Sequence, residues 1–131
     1  MKKYEVMVLS CIDPRFQPKV NEYLKGKKLT GKYSSFTIAG AAIGVTAKKF
    51  KKWHSTFVDN LSISIKLHKI NKIIVINHED CGAAKIVNGK KKFNAGIENK
   101  IHKNSFKKIK KILSKKFPTL KVNFKILSLK D

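Results

Sequence analysis

Apolar positions along the chain fall into two alternating patterns, short continuous runs and longer stretches with helical spacing. "YEVMVLS" (4–10) is a short apolar run and reads as a buried strand. Pro18 suits the first turn of a helix that carries "KVNEYLKG" and stops near Gly26. "YSSFTIAG" (33–40) reads as a second strand running into a Gly/Ala turn. Over 45–69 the spacing predicts helix: Phe57, Leu61, Ile65 and Leu67–His68 share one side, with Asp59 and Asn60 on the other. "KIIVINH" (72–78) is β-branched and continuous, as in a strand covered on both faces. "CGAAKIV" (81–87) opens a short helix. Ile101, Phe106, Ile109, Leu113 and Phe117 mark one face of a strongly basic helix over 100–117. Pro118 ends that helix, and "KVNFKILSL" (121–129) reads as the last strand.

The resulting order, β-α-β-α-β-α-α-β, predicts an α/β fold: a mainly parallel sheet of about four strands flanked by helices. No internal repeat and no Pro/Gly/Ser-rich linker divides the 131 residues, so one domain over 1–131 is expected. In such sheets ligands sit beyond the carboxyl ends of the strands, where the strand order reverses. Cys11 directly follows the first strand, and His78 to Cys81 directly follow the third. If those strands are neighbours, these groups meet at one site.

Charge changes the picture less than its size suggests. The formal net charge is +22, from 30 Lys and Arg against 8 Asp and Glu. A polyanion partner, nucleic acid or an anionic membrane, is one reading. A lysine-biased surface is preferred, because nucleic-acid readers lean on arginine for bidentate contacts and Arg15 is the only arginine. Lysine is also spread over the whole chain rather than alternating with aromatic stacking platforms. No apolar run approaches the roughly 18 residues of a membrane span. "MKKYEVMVLSC" resembles a short export signal, but Glu5 interrupts an apolar stretch already too short for one. A cytoplasmic location follows as the expectation.

In a reducing compartment the two cysteines, Cys11 and Cys81, favour metal binding or catalysis over a disulfide. With His78 they make a zinc set of two soft thiolates and one borderline imidazole, which leaves a fourth position open. Such a zinc lowers the pKa of its bound water to about 7. Asp13 lies close enough in sequence either to coordinate the ion or to accept a hydrogen bond from its water. Arg15 can fork onto that carboxylate through two parallel N–H···O bonds, which lysine cannot do.

"CIDPR" (11–15) followed by "HEDCG" (78–82) resembles the paired C-x-D-x-R and H-x-x-C-G motifs of the β-class carbonic anhydrases. The resemblance runs over roughly residues 4 to 90, through "FTIAGAA" (36–42) and the segment leading into the second motif. It implies Zn2+ held by Cys11, His78 and Cys81, and reversible hydration of carbon dioxide to bicarbonate by zinc-bound hydroxide. Asp13 and Arg15 would be the catalytic dyad governing access to the open position. Ala39, Gly40, Ala41 and Gly82 would line a small substrate pocket. A homodimer or a multiple of dimers is also implied.

Three departures stand out. Thr37–Ile38 replaces the family's Arg-Asn pair, and Ala41 stands where many members carry a polar or sulfur side chain. The chain also opens just before its first strand, so the N-terminal helical arms of larger members are expected to be missing. These departures point to a more apolar rim, and Thr37–Ile38 leans toward a related zinc hydrolase acting on carbonyl sulfide or carbon disulfide. The +22 charge and the basic helix over 100–117 keep open a third reading, a non-catalytic zinc protein or a basic module that binds nucleic acid or anionic lipid. His54, His68 and His102 fall in helical segments; His54 beside Trp53 could move protons, with an ordinary surface histidine the preferred reading.

Overall fold

The computed structural model describes residues 4–130. Its strands are β1 (Val6–Ser10), β2 (Tyr33–Thr37), β3 (Lys72–His78) and β4 (Lys121–Leu127). They form one sheet in the order β2-β1-β3-β4, with every neighbouring pair parallel. The helices are α1 (Gln17–Gly26), α2 (Ala42–Thr46), α3 (His54–His68), α4 (Gly82–Asn88) and α5 (Ala95–Lys116). Two 3-10 turns, Pro14–Phe16 and Lys48–Trp53, lead into α1 and α3.

The continuous apolar runs become the two inner strands because both of their faces are covered. On one face Met7, Leu9, Ile73 and Val75 pack against Ile43, Phe57, Leu61, Ile109 and Leu113 from α2, α3 and α5. On the other, Val6, Val8, Ile74 and Ile76 meet Val20 and Leu24 of α1, together with Phe16 and Leu127. Each such aliphatic or aromatic side chain withdrawn from water contributes about 1.5–3 kcal/mol. The edge strands are only partly covered, and the first residues of β4 alternate between exposed and half-buried accordingly.

The helical stretch expected over 45–69 is broken in the structure. It starts earlier, at Ala42, and Ala47 takes an extended conformation (φ −69°, ψ 138°) between α2 and the second 3-10 turn. Phe50 itself departs from helical geometry (φ −108°, ψ 28°) and kinks the Lys48–Trp53 segment, and its ring stacks on that of Trp53 at 4.5 Å and 5°. Within α3 the buried side carries Phe57, Leu61 and Ser64, and Leu67 points outward. The Ser64 hydroxyl is satisfied by that of Ser34 at 2.9 Å.

α5 also begins earlier than the apolar spacing suggests. The Asn94 side chain accepts the Ile97 N–H at 2.9 Å and caps the helix one residue before Ala95. Its buried residues are Glu98, His102, Ser105, Ile109 and Leu113, so the first half of the buried stripe is polar. The second strand stops at Thr37 and the last at Leu127, each short of its expected end. No helix of the described residues is long and apolar enough to cross a membrane.

Close packing at the β2–α2 junction gives a direct test of the fold. A Cβ on Gly44 would run into the carbonyl oxygen of Ala39, whereas one on Gly26 would meet nothing. Gly44→Ala is therefore expected to lower stability by about 1–3 kcal/mol in urea denaturation. Gly26→Ala should be neutral or stabilise by a few tenths of a kcal/mol up to about 1. Equal midpoints for the two variants would contradict this packing.

Candidate metal centre

The parallel pairing of β1 with β3 brings the two halves of the site together. Cys11 leaves the end of β1, His78 is the last residue of β3, and Cys81 immediately precedes α4. All three are buried, and one ligand atom from each lies within 4.8 Å of the other two. The His78 ring is fixed from two directions. Phe16 stacks on it at 4.0 Å, and Nδ1 lies 2.7 Å from the Glu79 carbonyl oxygen. A carbonyl only accepts, so Nδ1 carries the proton and donates. Nε2 is left with a bare lone pair. That atom is buried without a hydrogen-bond partner.

The Cys11 sulfur accepts the Gly40 N–H at 3.3 Å. Gly40 can approach so closely because it is glycine: φ is +80°, and a Cβ there would lie 2.8 Å from that of Ala83. Asp13 and Arg15 sit at the rim. The Arg15 backbone N–H donates to Asp13 Oδ1 at 2.9 Å, so the Asp-Pro-Arg turn closes on its own carboxylate. Arg15 Nη2 donates to Asp13 Oδ2 at 2.7 Å and Nε to Oδ1 at 3.1 Å, the expected fork. The guanidinium also reaches the second motif, with Nη1 donating to Asp80 Oδ2 at 2.9 Å and Nη2 to the Asp80 carbonyl at 3.0 Å. Both carboxylate partners are partly or largely solvated, so the clamp adds little stability. Its consequence is positional, since it ties the turn after β1 to the turn after β3. Asp13 Oδ2 then lies 3.9 Å from His78 Nε2.

An open cleft of about 570 Å³ borders this cluster. Cys11, Asp13 and Arg15 edge it on one side, and Ile12, Phe50, Trp53 and Ile86 wall it with apolar surface. Ala39, Gly40 and Gly82 also line it. Ala41 does not. Its φ of +48° turns it inward, and it is wholly buried in the core. Thr37 and Ile38 are also absent from the lining, and Ile38 packs against the core instead. The apolar wall therefore arises from the Phe50–Trp53 stack and two exposed isoleucines, not from the exchanged pair.

Residues 1–123 match the model of a family described as "Putative carbonic anhydrase". The chain belongs to this carbonic anhydrase family. It is 28% identical over 123 residues to the uncharacterized protein RC0076 of Rickettsia conorii, spanning 93% of this chain and 66% of that one. The fold matches two sets of fungal structures. One is the β-carbonic anhydrase CafA of Aspergillus fumigatus, with a TM-score of 0.67 at 12% identity, over 99% of this chain and 73% of that one. The other is a tetrameric β-carbonic anhydrase of Sordaria macrospora, with a TM-score of 0.69 at 10% identity, over 99% and 78%.

In this carbonic anhydrase family member the buried thiols polarise one another. Cys11 is held well below the ordinary thiol range, chiefly because Cys81 donates its S–H to it. Burial opposes that shift, and the backbone N–H groups of Gly40 and Asp13 reinforce it. Cys81 moves up, because its neighbour carries the charge and because it is buried. Burial pulls the His78 imidazole down, but Cys11 and the Glu79 carbonyl outweigh this and raise it. Hydrogen bonds from Arg15 hold the Asp13 carboxyl low against a smaller desolvation effect.

Several contributors escaped the sequence reading. Asp80 closes the Arg15 clamp, Phe16 orients His78, and Glu98 accepts the backbone N–H groups of Asp80 and Cys81 at 3.2 and 2.9 Å. The available signals were an aromatic directly after Arg15 and an acid–histidine pair four residues apart on one helix face. His54 bonds the Ala47 carbonyl at 2.9 Å and does not line the cleft, so it is not placed to move protons there.

Because a lowered pKa keeps the charged form present above it, the metal-free protein should hold one thiolate per chain across neutral pH. Thiolate absorbance near 240 nm is expected to persist down to about pH 6, where an ordinary thiol is protonated. Cys11→Ser should remove it. Absorbance that appears only above about pH 8 would contradict the arrangement of the thiol pair.

Proposed function

We propose that this chain is a zinc-dependent carbonic anhydrase that reversibly hydrates carbon dioxide to bicarbonate. The observation that carries this reading is the buried, unpartnered Nε2 of His78, facing two cysteine sulfurs beside an open apolar cleft. The donor set suits zinc, and three protein ligands leave a fourth position for solvent. Cys11, His78 and Cys81 would hold the ion. When bound, zinc supplies Lewis acidity and a nucleophile available at neutral pH by acidifying its water.

The chain's own residues account for the rest. The stacked Phe50–Trp53 pair with Ile12 and Ile86 offers a small apolar molecule a weakly hydrated place to dwell next to the ligands. Asp13, kept ionised by the Arg15 fork, presents an acceptor at the rim and can take a hydrogen bond or occupy the open position. Arg15 decides between these because Nε and Nη2 fix where the Asp13 carboxylate stands, while Nη1 anchors the guanidinium to Asp80. A homodimer or larger assembly is part of the same proposal, in line with the tetrameric relative from Sordaria macrospora.

A second reading, turnover of carbonyl sulfide or carbon disulfide, is favoured by the apolar wall. The two are separated by comparing kcat/KM for each substrate on one preparation. Zinc analysis with stopped-flow measurement should find one ion per chain and carbon dioxide hydration that Cys81→Ser abolishes. Protein that holds no zinc and cannot be loaded with it would refute both readings. Arg15→Lys should retain zinc yet lower kcat/KM by roughly ten-fold or more, because an ammonium cannot hold Asp13 in the fork. Unchanged kcat/KM in that variant would remove the dyad from the mechanism.

A further inference from the structure

Asn77 and His78 are consecutive in β3, so their side chains leave opposite faces of the sheet. His78 turns to Phe16, and Asn77 turns to the polar half of α5. There a chain of hydrogen bonds can be oriented from its one unambiguous end. The backbone N–H of Ala42 donates to Asn77 Oδ1 at 3.1 Å, which fixes the amide. The Asn77 Nδ2 group therefore donates, to His102 Nδ1 at 2.9 Å and to Ser105 Oγ at 3.3 Å. An accepting Nδ1 places the His102 proton on Nε2, which donates to Glu98 Oε2 at 3.0 Å. Glu98 receives the Cys81 N–H on Oε2 at 2.9 Å and the Asp80 N–H on Oε1 at 3.2 Å.

Three donors thus converge on one carboxylate that is only 7% exposed. In so dry a setting charge-assisted bonds of this kind are stronger than those between neutral groups. They act on a turn that needs support. Asp80 adopts a left-handed conformation (φ +56°), which is uncommon for a residue other than glycine. Arg15 grips this turn from the solvent side through the Asp80 carbonyl and carboxylate. Glu98 grips it from within through the two N–H groups. The starting point, Ala42, lies two residues beyond Gly40, whose N–H holds the Cys11 sulfur.

We propose that Glu98, oriented by His102 and Asn77, is the positioning residue for Cys81, presetting the 80–81 turn so that the sulfur faces Cys11 and His78 before any ion arrives. The proposal rests on the zinc reading above and assigns the carboxylate a part in metal affinity rather than in fold stability alone. A carboxylate is required because every group facing it is a donor. Glutamine would turn its own N–H2 toward one of them.

The test compares wild type with Glu98→Gln, His102→Gln and His102→Leu. Metal-free protein is checked for folding by circular dichroism, and zinc affinity is read by competition with a chromophoric chelator. Cobalt(II) is used separately to report the thiolate charge-transfer band. Glu98→Gln should weaken zinc by about 10–100-fold and diminish or shift the cobalt–thiolate band. His102→Gln, whose side-chain amide can still donate to Glu98, should stay within about three-fold of wild type. His102→Leu should lose at least about five-fold. A folded Glu98→Gln protein that binds zinc within about three-fold of wild type would overturn the proposal. Should Glu98→Gln fail to fold without metal, His102→Leu decides on the same readout, with parity to wild type overturning the proposal. Wild-type protein that takes up no zinc would instead refute the metal reading beneath it.

Discussion

Parallel pairing of β1 with β3, in the register that sets Val8 against Ile74, delivers the carboxyl ends of both strands to one edge of the sheet. Cys11 and His78 are distant in the chain, and this register makes them neighbours in space. Apolar residues on both faces of the inner strands hold the register, since a slip of one residue would send each buried side chain to the opposite layer. The site thus inherits its precision from the core. The loops need only carry the last few ångströms, which the Arg15 clamp outside and the Glu98 network inside supply.

The use of charge at this edge runs against the rest of the chain. Eight acidic residues face thirty lysines and arginines, yet three of the eight, Asp13, Asp80 and Glu98, stand around the sulfur–imidazole cluster. Arg15 is the only arginine, and it spends Nε, Nη1 and Nη2 on two carboxylates and a carbonyl. A lysine could match its charge but not its planar fork. The lysine excess lies largely on solvated faces such as the outer side of α5.

The strands, and the meeting of Cys11, His78 and Cys81, were legible in the sequence because they rest on local signals, namely apolar runs and sulfur or imidazole at strand ends. What was not legible depends on tertiary contacts. A search for apolar spacing passes over Glu98, His102 and Ser105, although they fill the buried stripe of α5, because polar residues read as a solvated face. The break at Ala47 was hidden for the opposite reason: Phe50 and Trp53 fit a helical pattern by spacing alone, whereas Ala47 is extended and Phe50 kinks the segment that follows. Ala41 was assigned to the pocket by resemblance, but its positive φ buries it. Asp80 could not be paired with Arg15 before the two turns were known to meet.

In the proposed zinc site, Cys11, His78 and Cys81 would hold the ion and leave a non-sulfur fourth position. X-ray absorption at the zinc edge of the loaded protein tests it most directly. A four-coordinate shell is expected, with two sulfurs at about 2.3 Å and two nitrogen or oxygen ligands at about 2.0–2.1 Å. A shell of oxygen and nitrogen alone, or of four sulfurs drawn from two chains, would contradict it.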